Sequence, residues 1–171
     1  MKYNPEIHNR RSIRLKGYDY SGCGYYFITI CTHDRQCLFG NIENGVMILN
    51  NAGRMIDCWW NELKNKYADI KIDEYVIMPN HCHGIINIVS PVSAAPIHKM
   101  VQWFKTMTTN EYIRNVKQNR WKPFNGTLWQ RNYYEHIIRN ETALQHIREY
   151  IVNNSYLWPQ DELFPASYYC L

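Results

Sequence analysis

A chain of 171 residues, 46% of them hydrophobic and 20% charged with a net charge of +4, fits one folded domain with enough interior for a real core. No apolar run approaches the ~20 residues that span a bilayer, and the polar, basic stretch from Met1 to Lys16 lacks the apolar centre of a secretory signal, so a cytoplasmic protein without a membrane partner is expected. The six cysteines never form a Cys-x-x-Cys pair, which argues against a zinc ribbon and, in a reducing compartment, against a disulfide framework.

The first element is a basic segment: Met1 to Tyr18 holds Lys2, Arg10, Arg11, Arg14 and Lys16 against Glu6 alone. After the Gly22-Cys23-Gly24 turn, Tyr25 to Thr32 is rich in β-branched and aromatic residues and reads as a strand. Asn51 is placed to cap a helix whose apolar positions Ala52, Met55, Ile56, Trp59 and Leu63 recur at helical spacing. Tyr75 to Met78 then reads as one short strand and His83 to Val89 as the next, with Pro79-Asn80 making a tight antiparallel connection between them.

Within that hairpin lies the pattern His81-Cys82-His83. Successive side chains of a strand point to opposite faces, so the two imidazoles share one face and Cys82 turns to the other. Such a pair is a ready claw for one divalent cation; it is equally the pattern of two ordinary histidines of a core or surface.

Ile97, Met100, Val101, Phe104 and Met107 mark a second amphipathic helix from near Pro96 to about Val116. The span from His98 to Arg139 carries eight basic residues against Glu111 and Glu135, leaving the chain outside the two basic segments net acidic. Two such segments suit a polyanion, whose binding rests on phosphate neutralisation, and they also suit an ordinary solvated surface. Aromatic residues interleave with the cations around Trp103, Trp121 and Trp129 to Tyr134, the combination on which unpaired bases stack.

A polar loop from Lys117 to Thr127 leads to a strand expected over Leu128 to Ile138. Asn140 caps a last helix running to about Asn153, with Glu141 in its first turn and Leu144, Ile147 and Ile151 as its buried stripe. His146, Tyr150 and Asn154 follow one another at i, i+4 and i+8 on an adjacent line. The order β, α, β-β, α, β, α gives one α+β domain over residues 1–171, an antiparallel sheet with helices packed on one side.

The stretch Tyr75 to Ile88 resembles the His-hydrophobic-His motif of single-tyrosine HUH transposases, and specifically of REP-associated tyrosine transposases. The similarity extends through Arg10 to Tyr20, Val101 to Lys105, Trp129 to Asn140 and Ile147 to Asn154, in the same order. It implies a ferredoxin-like sheet, with His81 and His83 as metal ligands, Tyr150 as the nucleophile and Asn154 completing or supporting the metal shell. One departure is Ser155, which stands where the family often has proline after that asparagine.

The resemblance further implies Mg²⁺ or Mn²⁺ as cofactor and single-stranded DNA carrying a hairpin as partner, with a monomer expected and a homodimer the alternative. Attack by Tyr150 on a phosphodiester gives a 5′-phosphotyrosine link and a free 3′-hydroxyl. Arg10, Arg11, Arg14 and Lys16 are candidate DNA contacts, with Lys105, Arg131 and Arg139 secondary. Two rivals stand beside this reading: a hydrolytic metal-dependent nuclease with water as nucleophile, and a catalytically retired single-stranded nucleic-acid-binding protein.

Overall fold

Strand β1 (Gly24–Cys31) forms the middle of the molecule because both of its faces are apolar. In the computed structural model, which describes residues 22–90 and 95–165, it pairs antiparallel with β5 (His81–Ile88) on one side and β6 (Tyr134–Ile138) on the other. Strand β4 (Ile70–Ile77) adds antiparallel to β5, completing the order β4-β5-β1-β6. A hairpin of β2 (Gly40–Glu43) and β3 (Val46–Leu49) is inserted before α1 (Asn51–Lys66). Helix α2 (Ile97–Asn119) connects β5 towards β6, and α3 (Glu141–Asn153) follows. Without the inserted hairpin and α3, the order βαββαβ is that of a ferredoxin-like fold.

The two sheet faces have different covers. Tyr26, Ile28 and Ile30 of β1 join Cys82, Ile86 and Ile88 of β5 in a core closed by α1 and α2, with Ile56, Trp60, Leu63, Met100 and Phe104 all buried. The opposite face presents Phe27 and Ile85 to Leu144 and Ile151 of α3. The expectation of helices on one side is thus corrected, and the reason is legible in β1 and β5: apolar residues on both faces need two covers. Gly84 lets Trp60 lie directly on β5, since a Cβ there would come within 2.2 Å of its ring.

Several boundaries shift for identifiable reasons. Asn50, rather than Asn51, caps α1: its side-chain oxygen accepts from Gly53 N–H at 2.9 Å while its amide donates to the Leu38 carbonyl. Strand β4 begins five residues before Tyr75, and a bulge between Ile72 and Tyr75 breaks the alternation that would mark it. Strand β5 starts at His81, paired with Cys31. Of the strand expected over Leu128 to Ile138, only the last five residues pair fully; Trp129 makes an isolated bridge with Thr32. The intervening carbonyls of Gln130, Arg131 and Asn132 accept instead from Lys105 Nζ at 2.9, 3.4 and 3.1 Å.

Candidate active site

The face under α3 collects the polar residues that the core excludes. The register aligns Thr29 with His83 and Cys31 with His81, so both imidazoles project from the centre of the sheet. The turn before them is tied down: Thr32 N–H and Oγ1 donate to the Asn80 carbonyl at 2.8 and 2.9 Å, and Leu38 and Phe39 N–H donate to that of Pro79. Helix α3 lies across this face with Leu144 and Ile151 inward, which places Tyr150 at the rim and Asn154 beneath the helix end.

Tyr150 Oη lies 3.2 Å from His83 Nε2, and His83 Nδ1 lies 2.7 Å from Thr29 Oγ1. Phe27 stacks on the His83 ring and meets the Tyr150 ring edge-on. His81, fully buried, pairs through Nδ1 with Asn80 Oδ1 at 2.7 Å. Tyr150, Asn154 and His83 border a cleft of about 810 Å³ that is also lined by Gln130, Tyr134 and Asp161.

Asp161 was not expected. The chain turns back after α3 through a short 3-10 turn at Trp158–Gln160, and Asp161 Oδ2 accepts from Asn154 Nδ2 at 3.0 Å. The donor atoms of His81, His83 and Asp161 lie within 4.8 Å of one another, a cluster able to hold a metal ion. Two buried atoms of the site, His81 Nε2 and Asn154 Oδ1, have no hydrogen-bond partner among the described residues. Orphaned buried acceptors are costly, and a cation among them would satisfy both. Burial, together with the neighbouring His83, pushes His81 well below the ordinary histidine range, partly offset by the Asn154 side chain; burial pulls His83 down to about 4 despite Asp161. Both rings are therefore neutral near pH 7, as metal ligation requires. The residues present fit a divalent cation.

Asn154 thus sits in the site, with its amide committed to Asp161 and its oxygen available. Arg131 and Arg139 are exposed. The Lys105 ammonium donates to three backbone carbonyls and so holds the wall segment 130–132 in place. Arg10, Arg11, Arg14 and Lys16 lie outside the described residues. Tyr133 and Tyr134 both line the cleft: the Tyr133 hydroxyl is held by Glu135 Oε2 at 2.6 Å, while Tyr134 is 54% exposed.

Comparison with known proteins bears on the family and the fold. An uncharacterized protein of Haemophilus influenzae is 44% identical over 175 aligned positions, covering 95% of this chain and 97% of that protein. A second H. influenzae protein, named as a candidate REP-associated tyrosine transposase, is 23% identical over 80% of this chain and 72% of its own length. The structure of a REP-associated tyrosine transposase bound to a REP hairpin superposes with a TM-score of 0.58 at 20% identity, covering 85% of this chain and 70% of that one. A candidate transposase from Deinococcus radiodurans superposes with a TM-score of 0.50 at 16% identity, over 83% of this chain and 97% of that one. These two share the fold. A family model described as "Transposase IS200 like" matches residues 19–154, and the chain belongs to that family.

Proposed function

We propose that this protein cleaves and rejoins single-stranded DNA at hairpin-containing sites, with Tyr150 as nucleophile. The observation that carries the reading is the placement of the Tyr150 hydroxyl, 3.2 Å from His83, whose donor atom clusters with those of His81 and Asp161. Family membership supports strand transfer on DNA, and the hairpin held by the structural neighbour supports a hairpin substrate.

His81, His83 and Asp161 would hold Mg²⁺ or Mn²⁺, with Asn154 Oδ1 as a further donor. Bound there, the cation would polarise the scissile phosphodiester and neutralise the charge that builds on it. A mixed nitrogen and oxygen donor set accepts either ion, although Ni²⁺, Cu²⁺ or Zn²⁺ would bind such a set more tightly in a tube. The Tyr150 oxygen bonds to phosphorus as the bond to the 3′ oxygen breaks. The phenolic proton leaves to water, and the departing oxygen takes one up as a 3′-hydroxyl. A 5′-phosphotyrosine remains, and attack on it by another 3′-hydroxyl reverses the exchange without ATP. The exposed Tyr134 ring gives the cleft an aromatic wall on which an unpaired base can stack.

The test is a denaturing gel with end-labelled hairpin DNA, drawn from sequence flanking the gene, and Mn²⁺. A protein–DNA adduct that survives denaturation and vanishes in Tyr150→Phe and in His81→Ala is the expected result. Cleavage without an adduct, retained in Tyr150→Phe, would replace the tyrosine by water and make the protein a hydrolytic nuclease. Binding with neither outcome, across several metals and substrates, would leave a DNA-binding protein that has lost its chemistry.

A further inference from the structure

Asn80 lies in the turn before β5 and is 1% exposed, and both ends of its side chain are engaged. Its Nδ2 donates to two backbone carbonyls, Arg35 at 3.2 Å and Leu163 at 2.9 Å, while its Oδ1 faces His81 Nδ1 at 2.7 Å. Oxygen and nitrogen of an amide are exchanged by a simple flip, so the orientation has to be argued from the partners. Both carbonyls can only accept, so the NH₂ group must face them. The oxygen is thereby left for His81, and because that oxygen can only accept, Nδ1 must carry the ring hydrogen. The lone pair of His81 then stands on Nε2, the buried atom that has no hydrogen-bond partner among the described residues.

Thr29 does not impose the same choice on His83, since its hydroxyl can donate or accept. Asn80 also reaches the other half of the site. Leu163, whose carbonyl it holds, donates its N–H to Asp161 Oδ1 at 2.7 Å, and Arg35 Nη1, from the residue whose carbonyl Asn80 also holds, donates to the Glu162 carbonyl at 2.8 Å. The segment 161–163 is thus laid against the sheet by contacts that converge on one amide.

We infer that Asn80 is a positioning residue that assembles the cation site from two directions, fixing the tautomer of His81 and docking the segment that carries Asp161. The inference rests on the metal reading above only for its effect on affinity; the tautomer and the docked segment are properties of the ion-free chain.

The experiment compares wild type, Asn80→Ala and Asn80→Asp as full-length proteins. Nitrogen-15 NMR of the histidine side chains reports the His81 tautomer, amide hydrogen exchange reports Leu163 and Phe164, and titration calorimetry with Mn²⁺ reports affinity. Wild type shows hydrogen on Nδ1 and protected amides at 163 and 164. Asn80→Ala mixes the tautomers, speeds exchange at both amides and weakens Mn²⁺ binding about 10–100-fold, the usual effect of removing a partner behind a metal ligand. Asn80→Asp separates the two tasks: its carboxylate still accepts from Nδ1 but cannot donate to the carbonyls, so the tautomer stays while exchange at 163 and 164 rises.

A folded Asn80→Ala with the tautomer, exchange and affinity of wild type overturns the inference. Should Asn80→Ala not fold, Asn80→Asp decides, and a mixed tautomer or unchanged exchange there overturns it. A wild-type chain that binds no Mn²⁺ overturns the metal reading, whereas a His81 tautomer indifferent to Asn80 overturns this inference alone.

Discussion

At Tyr150 the protein holds a phenol that its own surroundings make a poorer nucleophile. Burial, followed by the charge of Asp161, pushes it up to about 12, against about 10 for an unperturbed tyrosine. The carboxylate that would help to bind a cation therefore makes the Tyr150 phenol harder to ionise while the site holds none. Two expectations follow from that opposition. Adduct formation at saturating DNA and Mn²⁺ should climb with pH, at most about tenfold per unit, because the phenolate fraction does so far below the pKa; a flat profile from pH 6.5 to 8.5 would mean that the phenolate is not what attacks. Asp161→Asn should lower the Tyr150 pKa of the ion-free chain, read by ultraviolet titration, yet abolish the adduct. If that variant formed the adduct at the wild-type rate, Asp161 would be no ligand.

Helix α3 carries Tyr150, and besides its apolar stripe it is fastened to the sheet by an ion pair. Arg148 reaches from α3 to Asp73 in the β4 bulge, with Nε and Nη2 at 2.8 and 2.7 Å from the two carboxylate oxygens. The Arg148 hydrogen bonds hold Asp73 below the ordinary carboxylate range. The unfolded chain then binds more protons, so this contribution to stability is present above the unfolded value of about 3.9 and is lost as pH falls through the lowered one. Asp73→Asn should cost about 1 kcal/mol at neutral pH, modest because the pair is partly solvated, and the deficit should close in urea melts taken at progressively lower pH below that range. A deficit that persists unchanged at the acid end would assign the loss to packing.

The same elements explain what could be read from the chain beforehand. The βαββαβ order was legible because β1 and the His81 hairpin are rich in β-branched and aromatic residues beside turn residues, while α1 and α2 carry apolar residues at helical spacing. Asn44-Gly45, both at positive φ between β2 and β3, offered a hairpin signal that went unread because the flanking strands are only four residues each. His81, His83, Tyr150 and Asn154 were candidates from local pattern and resemblance, and the fold brings them together. Asp161 was hidden because nothing in its neighbours is periodic; its place depends on the turn at Trp158–Gln160 folding the chain back onto Asn80. The bonds from Lys105 to residues 130–132 were not legible, because a cation beside aromatic residues looks the same in sequence whether it meets a phosphate or three carbonyls.

Across the whole molecule the sheet separates two tasks, since one face is closed by α1 and α2 as hydrocarbon core and the other holds buried imidazoles under a single helix. Keeping these rings neutral has a consequence for how the protein answers acid. An unperturbed histidine has a pKa near 6.5, so the unfolded chain takes up protons there while the folded one does not, and ion-free stability should fall as pH drops from about 6.5 towards 4. Cation affinity of the folded chain behaves differently. A proton competes for Nε2 only where the folded rings titrate, and that lies well below 6.5. Mn²⁺ affinity measured by calorimetry should therefore change little between pH 7.5 and 5.5, whereas two ordinary histidine ligands would lose roughly tenfold or more over the same span. Mn²⁺ at 100 times its dissociation constant should add about 2.7 kcal/mol to stability and raise the melting temperature by roughly 5–10 °C, an increment absent in His81→Ala. A steep loss of affinity already by pH 6 would mean that the rings are hydrated and open, and the desolvated site inferred from their burial would have to be abandoned.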